Sequence, residues 1–233
     1  MWTIAFLACA ALLGTSGAWG QSKKQVERLG DAHEVFEAIM GTPDKGIPED
    51  LLARAACIGI IPSVKRLAIG FGGQHGSGYV LCRKNGGTGA WGPPSGFSMS
   101  GGSVGLQLGA SATDYVLLFM NQDGVKELLQ DKFTLGADAS VAAGPVGRSA
   151  TAATNAQMSA KILGYSRSKG LFAGLALNGA VLRPSGDDNE ELYGREVEPR
   201  ALLLDGSIAA PAGAQPLINL LTKYSSGQSR KPL

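Results

Sequence analysis

Histidine is nearly absent from this chain, with two in 233 residues, and aromatic residues make up only 6%. An excess of either charge is missing as well: 21 Lys and Arg oppose 19 Asp and Glu, for a formal +2. That balance argues against a dedicated nucleic-acid binder, which normally carries a strong basic surplus. Glycine is abundant at 34 residues, but it has no three-residue period and proline numbers only 11, which excludes collagen. Beyond the amino terminus no segment reaches the ~18 consecutive apolar residues of a membrane-spanning helix. At 44% hydrophobic residues the chain is nonetheless rich enough to bury a core.

The missing residues also disarm several motifs. Gly101-Gly102-Ser103-Val104-Gly105 matches the G-x-S-x-G nucleophile elbow, yet the elbow's base follows its serine, and His33 and His75 both precede Ser103. Ser166-Arg167-Ser168-Lys169 matches S-x-x-K without the companion S-D-N or K-T-G, and reads as a turn between strands. The Gly70–Gly78 stretch lacks the G-K-[ST] of a phosphate-binding loop. Asp187, Asp188, Glu190 and Glu191 lack the spacing of a calcium loop and read as a solvated helix start. A zinc site from Cys57, Cys82, His33 and His75 has none of the close ligand pairs such sites use. No catalytic residue, metal site or cofactor is expected.

Residues 1–20 carry no charged side chain, and the apolar run Ile4–Leu13 is followed by small residues, with Ala18 and Gly20 placed like a signal-peptidase site. The run is too short to span a bilayer, so it reads as a signal peptide and the protein as exported, periplasmic or extracellular. Cys9 falls inside that run, leaving Cys57 and Cys82. An even pair in an exported chain is a disulfide candidate, and two buried thiols are the alternative.

Ser22-Lys23-Lys24-Gln25 fits a capping box, and Val26, Leu29, Ala32, Val35, Phe36, Ile39 and Met40 then recur at helical spacing up to Gly41. A short helix starts at Pro48 and runs to about Ala55. Short β runs follow: Cys57–Ile61, Leu67–Gly72, Gly78–Arg83, Phe97–Met99, Val104–Leu108 and Asp114–Met120, with a turn at Asn85-Gly86-Gly87. Asn121–Gln130 reads as helix, Phe133–Ala143, Ile162–Ser166 and Leu171–Leu182 as strands, and Ala150–Ala160, Asp187–Tyr193 and Gln215–Tyr224 as helices. The fold class expected is α+β, a mostly antiparallel, Gly-rich, curved or barrel-like sheet flanked by N- and C-terminal helices. One domain covers residues 21–225, and 226–233 form a disordered basic tail.

Charge is segregated. Between Leu51 and Thr113 there is no acid, only Arg54, Lys65, Arg66, Arg83 and Lys84; between Ala139 and Gly186 there are only Arg148, Lys161, Arg167, Lys169 and Arg183. Brought together, these segments would make a cationic surface that attracts anionic headgroups by about 1 kcal/mol per basic residue. Ordinary solvated charge is the alternative.

Ile60-Ile61-Pro62-Ser63-Val64-Lys65, Trp91-Gly92-Pro93-Pro94, Gly101-Gly102-Ser103-Val104-Gly105, the run from Phe133 to Arg148 and the run from Tyr165 to Gly174 together resemble the SYLF domain. This lipid-binding family is also described in yeast as an actin-patch-associated domain, and the resemblance spans about Lys23 to Ser225. It implies binding rather than turnover. Eukaryotic members bind phosphoinositides through a basic N-terminal amphipathic helix and a cationic surface, and some bind actin. Carried over, the lipid-binding positions are Lys65, with Arg66 next to it, Arg148, Arg167 and Lys169, and Arg83 and Lys84 follow by position beside Cys82. The first helix departs from that pattern, since Lys23, Lys24 and Arg28 face Glu27, Asp31, Glu34 and Glu37. The leader implies a bacterial cell envelope. It argues against actin as a resident partner and favours phosphatidylglycerol, cardiolipin or lipopolysaccharide over phosphoinositides. An envelope structural or assembly module that binds another protein is the alternative function.

Overall fold

The computed structural model describes residues 22–42, 46–147 and 159–226, the side chains of 68–71, 103–109 and 122 excepted. The leader, Arg148, nearly all of the 150–160 helix and most of the basic tail lie outside the described residues. Helix α1 (Lys23–Met40) buries Leu29, Ala32, Val35, Phe36 and Ile39, one stripe at helical spacing. Ser22 is its N-cap residue, but the expected capping box does not form, because the Ser22 side chain makes no capping bond. Gln25 points inward instead of back to the helix start, and is fully buried. Helix α2 (Glu49–Arg54) follows, with Glu49 and Asp50 in its first turn and Arg54 in its last, both favourable to the helix dipole.

The six short β runs expected over 57–120 are two very long strands. Strand β1 (Cys57–Cys82) and strand β2 (Ser95–Phe119) pair antiparallel from Cys57↔Phe119 to Val80↔Ser95, with register shifts between Ile61 and Val64 and between Ile69 and Phe71. Glycines read as strand breaks are bends within continuous pairing. The two halves of β1 curl back beside each other: the Arg83 amide donates to the Ala56 carbonyl at 2.8 Å, and the Sγ atoms of Cys57 and Cys82 are bonded. Gly78 permits this approach, because a Cβ there would be driven into the Ile60 carbonyl. In the chain-entropy view, closing this loop with a disulfide stabilises the fold by about 3.5 kcal/mol. Between the long strands Lys84–Gly87 forms one tight turn, with Asn85 (φ 52°) and Gly86 (φ 74°) in left-handed geometry, as the Asn-Gly-Gly signal indicated.

Helix α3 (Gln122–Leu128) is capped by Asn121, whose side chain accepts from the Gly124 amide at 3.0 Å. The run expected as one strand over 133–143 is two, β3 (Phe133–Thr134) and β4 (Val141–Ala143), separated by a turn through Gly136 (φ 86°). Strand β5 (Ile162–Ser168) comes next. The 171–182 run also divides, into β6 (Leu171–Gly174) and β7 (Val181–Pro184). Helix α4 (Gly186–Tyr193), a π-helical turn (Ala201–Asp205) that the sequence reading missed, and helix α5 (Gln215–Ser225) complete the chain.

The sheet order is β3-β7-β2-β5-β4, with β1 also on β2 and β6 also on β5. Only the β4–β5 pairing is parallel; the rest are antiparallel. Because β1 and β2 each enter the sheet twice, the result is a strongly curled half-barrel flanked by the N- and C-terminal helices. One face packs Ile58, Ile60, Val116, Leu118 and Leu163 against Leu29 and Phe36 of α1, Leu52 of α2 and Leu217 and Leu221 of α5. The other face packs Val80, Leu117 and Phe119 against Val125 and Leu128 of α3 and Leu202 and Leu203 of the π-helical turn. Covering both faces explains why Cys57–Ile61 reads as an unbroken apolar run rather than an alternating one.

Candidate functional site: two ends of a curled sheet

The curl gives the sheet two ends. At one, Cys57 and Cys82 meet and the chain leaves into Arg83 and Lys84. Arg83 is half-buried: its Nε donates to the Ala55 carbonyl at 3.2 Å, its Nη1 to the Gly89 carbonyl at 3.0 Å, and its guanidinium stacks 4.3 Å from the Trp91 ring. Burial lowers its pKa. Trp91 is itself anchored, donating to the Ser225 hydroxyl at 3.0 Å. Lys84 is exposed beside Gly206.

The same half of the molecule holds a buried polar latch between α1, α4 and β1. Gln25 donates to Asp188 at 2.6 Å and to Glu191 at 2.8 Å, while its side-chain oxygen accepts from Arg28 at 3.0 Å and from the Tyr79 hydroxyl at 2.5 Å. Arg28 and Asp188 form an ion pair at 2.9 Å. Burial pushes the Asp188 carboxyl up, but the hydrogen bonds from Arg28 and Gln25 and the Arg28 charge outweigh it and hold the pKa below the ordinary 3.8. Burial pushes the Tyr79 phenol far above its usual range. Asp188, read from sequence as part of a solvated helix start, is therefore a buried partner of α1. With its apolar stripe in the core and this latch at its first turns, α1 is fixed to the sheet.

The other end lies about eight residues along β1, roughly 25 Å away at strand rise. Ser63 takes a left-handed conformation (φ 49°) at the first register shift, and its amide donates to Asp114 at 2.9 Å. This bulge resets the alternation so that Lys65, opposite Ala112, shares the face of Asp114. Asp114 is opposite Arg167 of β5, and the two form an ion pair at 3.6 Å. Just beyond, Lys169 (φ 49°) and Gly170 (φ 78°) make the two-residue turn that joins Ser168 to Leu171. Arg66 points to the other face, where its charge opposes the burial that raises the Tyr115 phenol.

The two acid-free segments thus meet in part. Among the described residues, Lys65, Arg167 and Lys169 lie at this end with one carboxylate, Asp114, which Arg167 engages, and Arg66 lies at the same level on the opposite face. Lys65 and Lys169 are exposed, and neither has a carboxylate within 4.0 Å among the described residues. Arg83 and Lys84 belong to the opposite end. Elsewhere Lys161 pairs with Glu127 at 3.1 Å, and Arg183 bonds the Ser100 hydroxyl at 3.4 Å. Asp114 and the level of the Lys169 turn were not legible from sequence, because both depend on strand register.

Other candidate sites do not assemble. Gly101–Gly105 runs inside β2, paired with the Gly72–Gln74 stretch, without the strand-to-helix turn of a nucleophile elbow. No cluster of three His, Cys, Asp or Glu suited to a metal ion occurs among the described residues. A surface cavity of about 400 Å³ is lined by Lys126, Asp131, Glu196, Glu198 and Arg200, a mixture of signs unsuited to an anion. No described helix is long and apolar enough to cross a membrane.

Among the described residues the molecule is a curled, helix-flanked sheet with a group of cations at one end. Residues 100–224 match the family described as Ysc84, Las17-binding protein actin regulator, and the chain belongs to this Ysc84, or SYLF, family. It is 38% identical over 181 residues to LAS seventeen-binding protein 3 of Saccharomyces cerevisiae, covering 76% of this chain and 39% of the yeast protein. It is 35% identical over 181 residues to Protein YSC84 of the same yeast, covering 76% and 38%. With SH3 domain-containing YSC84-like protein 1 of Bos taurus the identity is 33% over 209 residues, covering 88% of this chain and 59% of the bovine one. The chain therefore spans about two-fifths to three-fifths of these relatives. The relatives' names describe binding and regulation rather than an enzyme activity.

Proposed function

We propose that this protein is an exported, non-enzymatic lipid-binding protein of a bacterial envelope. It docks on anionic phospholipid surfaces through the end of the sheet that carries Lys65, Arg66, Arg167 and Lys169. The observation that carries this reading is the placement of Lys65, Arg167 and Lys169 at one end of the sheet beside one carboxylate, with Arg66 on the opposite face of that end, in a chain whose formal charge is only +2. Arg gives headgroup phosphates a bidentate fork and Lys a mobile point charge. The disulfide agrees with an oxidising compartment. Because α1 is latched to α4 and β1, the headgroup contacts fall to the sheet rather than to a free basic helix.

Vesicle flotation tests the proposal. Binding rises with phosphatidylglycerol content and falls with added salt. Binding that ignores both would contradict it.

A second reading rests on the relatives' names, which describe binding to Las17 and regulation of actin. On that reading the module binds a protein. Co-sedimentation with filamentous actin and capture of envelope proteins measure it; binding to either by a chain that ignores anionic vesicles would favour it over the lipid reading.

A further inference from the structure

Among the described residues, two large apolar side chains stand far more exposed than any other: Leu171 at 79% and Leu67 at 67%, with Val146 next at 41%. Isolated surface leucines are ordinary, but these two share one end of the fold, and it is the cationic end. Leu67 follows Lys65 by two residues, so strand alternation puts both on the same face of β1. Leu171 closes the turn made by Lys169 and Gly170. Asp114↔Arg167 fixes the level of β5 against β2, and Val64↔Thr113 fixes that of β1. By those registers the Lys169 turn lies level with Lys65, two to two and a half strand spacings or roughly 10–12 Å across the sheet, and Leu171, opposite Ser168, stands on the other face of that edge from Lys65 and Arg167. Leu67 projects two residues further. The exposed neighbours described between them, Ala110, Ser111 and Ala112, are small and uncharged. The one carboxylate, Asp114, is engaged by Arg167 and by the Ser63 amide.

We infer that this end is a shallow insertion edge: Leu67 and Leu171 enter the boundary between headgroups and acyl chains of an anionic bilayer, while Lys65 and Lys169 remain at the phosphate level. The inference rests on the lipid-binding reading above and adds a mode of attachment to it. The occupant is identified by complementarity, since exposed leucines each set beside an exposed lysine with no carboxylate within 4.0 Å among the described residues suit an interface that is apolar within and anionic without. A purely electrostatic surface has no use for the leucines. Helix α1 cannot supply the apolar element, because its stripe is spent on the core.

The test uses the exported chain from residue 21 with Leu67→Trp or Leu171→Trp, and vesicles of phosphatidylglycerol and phosphatidylcholine brominated in the upper acyl chain. The parent, whose one tryptophan beyond residue 20 is Trp91, sets the background. The expected result is bromine quenching beyond that background for both variants, and about tenfold weaker flotation for Leu67→Ser with Leu171→Ser, at unchanged salt dependence. Vesicle binding without added quenching, with the serine pair floating like the parent, would overturn insertion and leave surface docking standing. Failure of the parent to bind anionic vesicles would overturn both.

Discussion

The two ends of the curled sheet are built from the same strands and spend their charge in opposite ways. At the disulfide end and in the adjoining latch, polar groups are turned inward and mostly answered: Arg83 by two carbonyls at Nε and Nη1 and by Trp91, with its buried Nη2 left over, and Asp188 by Arg28 and Gln25. At the other end, Lys65 and Lys169 face solvent beside exposed Leu67 and Leu171. Satisfied polar groups specify and hold a structure, whereas unanswered cations beside exposed leucines hold nothing in the folded monomer. On the proposed lipid-binding function, the difference separates a scaffold from a contact surface. It follows that substitutions at the first end register in stability and those at the second in binding.

The largest effect is expected at the curl itself. Gly78→Val would force a side chain into the Ile60 backbone, and thermal or urea unfolding should show a loss above about 3 kcal/mol or no folded protein at all. Next comes the latch. Asp188→Ala leaves Arg28 and Gln25 without their buried acceptor, and chemical denaturation should show a loss of about 3 kcal/mol. Because the Asp188 pKa is depressed on folding, its stabilisation is fully present above the ordinary 3.8 and disappears as pH falls through the lower folded value. An acid titration of Asp188→Asn should therefore show less stability lost below about pH 4 than in the parent.

Removing the bridge with Cys57→Ser and Cys82→Ser should cost about 3 kcal/mol in the same assay while leaving vesicle binding by the folded fraction unchanged. The smallest stability effect belongs to the contact end. Lys65→Glu with Lys169→Glu should shift unfolding by less than about 0.5 kcal/mol. Arg167→Glu would blur this comparison, since it would set a second carboxylate opposite Asp114.

How much of this was legible in the sequence follows the range of the interactions. Helix α1 was visible because its signal is local, a stripe from Leu29 to Ile39 closed near Gly41. The glycine-rich texture announced a curved antiparallel sheet. It did not reveal that Gly73 and Gly76, between the runs read as separate strands, lie within one continuous strand, because a glycine bend and a glycine break look alike until the partner strand is known. The fate of Gln25 was hidden for a similar reason: a capping box is a four-residue pattern, while the acceptors that won Gln25 are more than 160 residues away. Charge segregation did point to Lys65, Arg66, Arg167 and Lys169. It could not divide them from Arg83 and Lys84, because that division is made by β1 doubling back on itself.

Flotation with phosphatidylglycerol vesicles, comparing charge reversal at the two ends, tests the assignment most directly. Each reversed lysine at a docking surface loses about 1 kcal/mol of attraction and gains comparable repulsion. Lys65→Glu with Lys169→Glu should thus weaken binding at least about a hundredfold, while Lys84→Glu with Arg54→Glu, which makes the same change in net charge, should leave it within about threefold of the parent. Equal losses from both pairs, or none from the first, would contradict the account.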